Sequence, residues 1–184
     1  MGKLILSIMT SIDGYMEGPN KELDWHVWDD EMEKHMFHFL NHQVDTILLG
    51  RKAYKLFVDY WPSSQDSIAP AMNALKKIVF SKTLKTAEWN NTTIIKDNIR
   101  DEISRLKQSK KKDLVLFGGA EITASLIKLN LIDEYQVIVN PLVLGQGTPT
   151  FALHERLNFT LVDIKRFNCG NVIHYYHPAK GSTN

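Results

Sequence analysis

The stretch Leu114-Val115-Leu116-Phe117-Gly118-Gly119-Ala120 decides how the rest of the chain is read. Four apolar residues without alternation suit a strand covered on both faces, as in a parallel sheet. The glycine pair ends the run, and Ala120 to Leu129 follows with the apolar content of a packed helix. A strand that turns directly into a helix is the repeating piece of an α/β fold. Two other segments repeat the pattern: Leu48-Leu49-Gly50-Arg51-Lys52, leading into a helix from Arg51 to Phe57, and Ile78-Val79-Phe80-Ser81-Lys82.

Working outward, Leu4 to Met9 reads as a first strand, and Thr10-Ser11-Ile12-Asp13-Gly14 and Glu17-Gly18-Pro19-Asn20 as turn and loop. Asp29 to Asn41 carries Met32, Met36, Phe39 and Leu40 on one stripe, which predicts a helix with Asp29 and Asp30 in its favourable first turn. Thr92 to Ile95 is a further strand. Asn98 is placed to cap a helix containing Ile99, Ile103 and Leu106. Tyr135 to Val139 is another strand, followed by the loop containing Pro141 and Gly145-Gln146-Gly147. Phe159 to Phe167 and Val172 to His177 flank Asn168-Cys169-Gly170-Asn171 as a hairpin. The expected architecture is a three-layer α/β sandwich: a mixed, mostly parallel sheet ending in an antiparallel hairpin. One domain spans residues 1–178, with 179–184 as a C-terminal tail.

Composition narrows the function. The 184 residues are 43% hydrophobic and 23% charged, values of an ordinary globular domain. Lys plus Arg number 22 against 21 Asp plus Glu, a net charge of +1, without the basic excess of a nucleic-acid binder. Lys110-Lys111-Lys112 reads as a solvated helix end. The single cysteine, Cys169, excludes an internal disulfide and a multi-thiolate zinc site, and it lacks a basic neighbour that would activate it. His35, His38 and His42 share a helix side without an H-E-x-x-H pattern, so they read as a polar face and no metal is expected. Neither an export signal nor a spanning segment is visible, and a cytoplasmic protein without membrane contact is expected.

Ligands of open α/β sheets bind beyond the carboxyl ends of the strands. There, Gly118-Gly119 admits a close backbone approach, a following helix offers free N–H groups to an anion, and Arg51, Lys52 and Lys82 add charge with Ser81 as a neutral donor. A phosphorylated cofactor suits this set, although neither G-x-G-x-x-G nor G-x-x-x-x-G-K-[ST] occurs. Asp13, Asp24, Asp29 and Asp30 gather near Tyr15, Trp25 and Trp28, an acid-and-aromatic grouping that fits a flat nitrogen heterocycle, while acids in a first helical turn also serve as caps.

Taken in order, Ser11-Ile12-Asp13-Gly14-Tyr15, Leu48 to Lys52, Ile78 to Lys82, Leu116-Phe117-Gly118-Gly119-Ala120 and Asn140 to Gly147 resemble the dihydrofolate-reductase-like superfamily. Within it they resemble the reductase domain of the riboflavin-biosynthesis bifunctional deaminase–reductase. The resemblance implies an NADPH-dependent reductase acting on a small-molecule substrate. Gly50, Arg51, Lys52, Ser81 and Lys82 would hold the phosphates around the adenosine. Gly118, Gly119 and Ala120 would lie beside nicotinamide and pyrophosphate, with a Gly-Gly peptide that is commonly cis in the family. Trp25 and Asp30 are similar to the tryptophan and catalytic acid of dihydrofolate reductases, with Asp13 as the competing acid.

The deaminase module has no counterpart here. Lys76-Lys77 stands where folate enzymes place an arginine fork, and Tyr135 to Val139 lacks their supporting threonine, so a pteridine, a pyrimidine or another polarised double bond is expected rather than folate. A dihydrofolate reductase proper and a non-catalytic NADPH sensor are the alternatives, and a homodimer is expected from the apolar content of the late strands and the habits of the relatives.

Overall fold

The computed structural model describes residues 1–109, 112–153 and 155–179. Eight strands form one sheet: β1 (Leu4–Thr10), β3 (Val44–Gly50), β4 (Lys76–Phe80), β5 (Thr92–Ile95), β6 (Asp113–Leu116), β7 (Glu134–Val139), β9 (Phe159–Arg166) and β10 (Val172–Pro178). Their order is β5-β4-β3-β6-β1-β7-β10-β9. The pairings from β5 to β7 are parallel, and β10 runs antiparallel to both β7 and β9.

The two-residue period of the strands divides the core between two faces. Ile5, Ile47, Leu49, Val79 and Val115 meet Met32 and Met36 of α1 (Asp30–His38), Tyr54 of α2 (Arg51–Tyr60) and Met72 of α3 (Ala69–Ala74). Leu4, Leu6, Leu48, Ile78, Leu114 and Leu116 meet Ile103 and Leu106 of α4 (Ile99–Ser109) and Ile122 and Leu126 of α5 (Ala120–Lys128). Helices thus cover both faces, which explains why the inner strands read as unbroken apolar runs. The fold is the expected three-layer α/β sandwich. Among the described residues no helix is long and apolar enough to cross a membrane.

Several local features differ from the sequence reading. The first helix passes at Phe39 into a π-helical turn (Phe39–Gln43), in which Phe39 and Leu40 are both buried at 1% exposure each. The second helix continues to Tyr60, and α3, with Pro70 in its first turn, fills a stretch without a strong helical pattern. Tyr15–Glu17 (β2) and Thr148–Pro149 (β8) pair as a small second sheet inside segments read as loop. Asn98 has φ +55 and gives only its carbonyl to the Glu102 N–H at 3.0 Å. Every described peptide is trans, Gly118-Gly119 included, which departs from the resemblance. Lys112 is exposed and donates to the Asn41 carbonyl at 2.9 Å, whereas Lys110, Lys111 and the tail from residue 180 lie outside the described residues.

Lys77 is fully enclosed at 0% exposure. Its Nζ donates to the Met72 and Asn73 carbonyls at 3.2 and 2.7 Å, capping the end of α3, and sits 4.4 Å from the centre of the Trp89 ring. Burial pushes this amine down to about 8.

Candidate functional site

Sheet register sets three turns side by side. Leu48 pairs with Leu116, which also pairs with Leu6, and Gly50 pairs with Phe80. The turns that begin at Gly50, Ser81 and Gly118 therefore share one edge of the sheet. Side-chain packing brings two of them closer still. A Cβ on Gly50 would lie 3.0 Å from the Ile122 Cγ2, and one on Gly119 would lie 3.3 Å from the same methyl and 3.9 Å from the Ala53 Cβ. Glycine at these positions lets the starts of α2 and α5 approach each other. Gly118 and Gly119 also require glycine for their φ of +88° and +94°.

Gly50 and Gly119 are the N-caps, and neither supplies a side-chain hydrogen bond. The first-turn N–H groups of two neighbouring helices are thus left to a ligand at the positive ends of their dipoles, an arrangement suited to phosphate. Charged side chains ring the spot. Arg51 is exposed, Lys52 pairs with Glu121 at 2.6 Å and Lys82 with Asp97 at 3.8 Å. These exposed pairs are weak. Ser81 Oγ accepts the N–H groups of Thr83 and Leu84 at 3.3 and 3.0 Å, so it holds the turn that carries Lys82. Ala120 opens α5. All eight positions expected around a cofactor belong to these three adjacent turns.

Trp25, Asp13 and Asp30 lie further along the same edge, beyond β1. A strap from Gly18 to Asp29 crosses there, fastened by two fully buried asparagines. Asn140 Oδ1 accepts the Val27 N–H at 2.9 Å, and Asn171 Nδ2 donates to the Val27 carbonyl at 2.6 Å. Trp25 Nε1 donates to the Glu22 carbonyl at 3.1 Å, and its ring packs edge-on to His26 at 4.4 Å. The His26 Nε2 is buried without a partner, and burial pushes this imidazole down to about 4, so it is neutral at ordinary pH.

Asp29 caps α1 through the Met32 N–H at 2.8 Å and also accepts the Cys169 N–H at 2.7 Å, which ties the strap to the β9–β10 turn. Both oxygens of Asp13 are engaged by a distant loop, accepting the N–H groups of Leu144 at 3.1 Å and Gly145 at 2.7 Å. The Ser11 hydroxyl, with these two N–H groups, holds the Asp13 carboxyl below its ordinary range. Asp30 is exposed in the first turn of α1.

Between the phosphate-type turns and the strap lie half-buried Met9, next to last in β1, and Phe117, just after β6, with the Phe57 ring 6.4 Å from that of Phe117. The sequence reading missed this apolar floor, although Met9 and Phe117 both fall at the carboxyl ends of adjacent strands. The histidines do not act as one group: His35 Nδ1 lies 3.2 Å from Lys165 Nζ, while the His38 and His42 rings face each other at 4.8 Å.

Known proteins resemble this chain in sequence and in fold. The chain is 37% identical over 181 residues to protein YyaP of Bacillus subtilis (strain 168), covering 95% of this chain and 94% of that protein. The crystal structure of a putative riboflavin biosynthesis protein from Shewanella sp. PV-4 superposes with a TM-score of 0.80 at 23% identity, covering 98% of this chain and all of that one (100%). A pyrimidine reductase-like protein from Corynebacterium diphtheriae superposes with a TM-score of 0.69 at 12% identity, covering 97% of this chain and 92% of that one. The family model described as the RibD C-terminal domain matches residues 2–173, and the chain belongs to that family.

Proposed function

We propose that this protein is an NADPH-dependent reductase that passes a hydride to a C=N or C=O carbon of a small pyrimidine- or pteridine-like heterocycle. The observation that carries the reading is the convergence of the α2 and α5 N-termini around Gly50 and Gly119, without side-chain caps and with no Cβ in the way. Family membership supports an oxidoreductase.

The residues fit a bound dinucleotide phosphate. First-turn N–H groups of both helices suit the pyrophosphate, and Arg51, Lys52, Ser81 and Lys82 suit the additional phosphate that distinguishes NADPH from NADH. When bound, NADPH would supply the reducing hydride, and the protein would orient the reactants. Phe117 and Met9 offer an apolar surface for a flat ring, and Trp25 walls the strap side. Asp30, free of backbone ties, orients the heterocycle or passes a proton through water. Asp13 positions the 142–147 loop.

The second reading is an NADPH sensor without turnover, favoured by the engagement of Asp13 with Leu144 and Gly145. Titration calorimetry with NADPH and NADH tests the cofactor, with saturable heat expected and a preference for NADPH. Loss of reduced-nicotinamide absorbance against a panel of pyrimidines and pteridines separates enzyme from sensor. Absence of NADPH heat refutes both.

A further inference from the structure

The loop between β4 and β5, residues 81–91, carries Ser81 and Lys82 at the cofactor-side edge and contains neither helix nor strand. Irregular backbone keeps one shape only where its N–H and C=O groups find partners. At the start of the loop the Ser81 hydroxyl accepts the Thr83 and Leu84 N–H groups, a turn closed within itself. The far end is fastened from outside. Tyr54 Oη accepts the Glu88 N–H at 2.9 Å and the Trp89 N–H at 3.2 Å, and Tyr54 and Trp89 are each 3% exposed. The Trp89 ring is held in turn by α3 and β4: its Nε1 donates to Asn73 Oδ1 at 2.6 Å, and Lys77 Nζ lies 4.4 Å from its centre.

Tyr54 follows Arg51 and Lys52 in α2, and its neighbour Ala53 is the residue that a Cβ on Gly119 would meet at 3.9 Å. The start of α2 thus presents two exposed cations and, turned inward, one phenol that grips the loop of Ser81 and Lys82. Among the described residues no other α2 side chain hydrogen-bonds to this loop. A tyrosine has only two side-chain rotations, so it acts as a stiff strut between the two sets of phosphate-type groups.

We propose that Tyr54 is a positioning residue for cofactor selection, a role that rests on the cleft holding a nicotinamide cofactor. Its hydroxyl holds residues 81–91 so that Ser81 and Lys82 stand with Arg51 and Lys52 as one cradle for the phosphate that NADPH carries and NADH lacks. Tyr54 acts through the loop. Without the hydroxyl, the Glu88 and Trp89 N–H groups lose their acceptor, which favours conformations in which the loop end is unfastened. A ligand that needs the fastened loop then binds more weakly, in proportion to the fraction of molecules still fastened. NADH has no phosphate for Ser81 and Lys82 and loses nothing.

Titration calorimetry of wild type and Tyr54→Phe with NADPH and with NADH is the test, since phenylalanine keeps the ring and removes only the oxygen. NADPH should bind the variant at least about tenfold more weakly while NADH affinity stays the same, so the preference falls by that factor. In the protein without cofactor, hydrogen exchange at the Glu88 and Trp89 amides should accelerate, while β1 amides keep their protection. Ile103→Val, in α4 on the other face of the sheet, controls for general loss of stability and should leave the preference as it is. Should Tyr54→Phe fail to fold, Trp89→Phe, which removes the donor to Asn73, carries the same test of the fastened loop. A preference for NADPH that survives in the variant, an equal loss for both dinucleotides, or unchanged exchange at Glu88 and Trp89 overturns the role of Tyr54 and leaves the cleft reading standing. Wild type without NADPH heat refutes the cleft reading and the role of Tyr54 with it.

Discussion

Replacing Lys77 with methionine tests the packing beneath the loop that carries Lys82. The wild-type amine is enclosed between the end of α3 and the Trp89 ring, and burial holds it at about 8 against 10.5 for a free lysine. Between these values the unfolded chain binds more protons than the folded one, so stability rises with pH through this window. The penalty is fully present below pH 8. Each pH unit is worth about 1.4 kcal/mol, so wild type should gain about 2–3 kcal/mol from pH 8 to pH 10 relative to Lys77→Met, which has nothing to titrate there. Two-state urea unfolding of both proteins at pH 7, 8, 9 and 10 measures the difference, and groups common to both cancel. Parallel stability curves would show that the two carbonyl bonds fully offset the burial of the charge, and would refute the reasoning.

Other expectations concern the candidate cleft. Gly119→Ala forces an L side chain to φ +94° against Ile122 and should cost about 1–3 kcal/mol, while NADPH affinity measured by calorimetry falls at least about tenfold. His26 and His35 are both pushed to about 4 by burial, so the unfolded chain takes up protons first as pH falls below 6.5, and stability should decline from there to pH 4. His26→Phe should remove about 2–3 kcal/mol of that decline in acid unfolding curves. Asp29→Ala removes the acceptor for both the Met32 and Cys169 N–H groups, so hydrogen exchange should accelerate at both amides and Tm should fall.

The layered architecture was legible because each inner strand is an apolar run closed by a small or polar residue, a signal contained within a few neighbouring positions. The adjacency of the turns at Gly50, Ser81 and Gly118 was legible for the same reason: a strand closed by a small residue before a helix marks one edge of a parallel sheet wherever the chain later goes. Side-chain duties that depend on remote partners were not. Asp13 spends both oxygens on a loop 131 and 132 residues away, and nothing near Asp13 in sequence announces that. Lys77 resembles Lys76 in sequence, yet the pleat turns it inward, where the end of α3, a helix without a clear periodic signal, receives it. Strands β2 and β8 escaped notice because two or three residues are too few to show alternation.

The position of β1 in the sheet imposes an order on the birth of the molecule. Its two neighbours, β6 and β7, occupy residues 113–139, so β1 stays without its sheet partners until that later segment has been synthesised. The strap waits longer still, since Val27 and Asp29 need Asn171 and Cys169. The turns at Gly50, Ser81 and Gly118, with the helix that follows the last of them, are complete in sequence by residue 128, before the residues that fasten the strap.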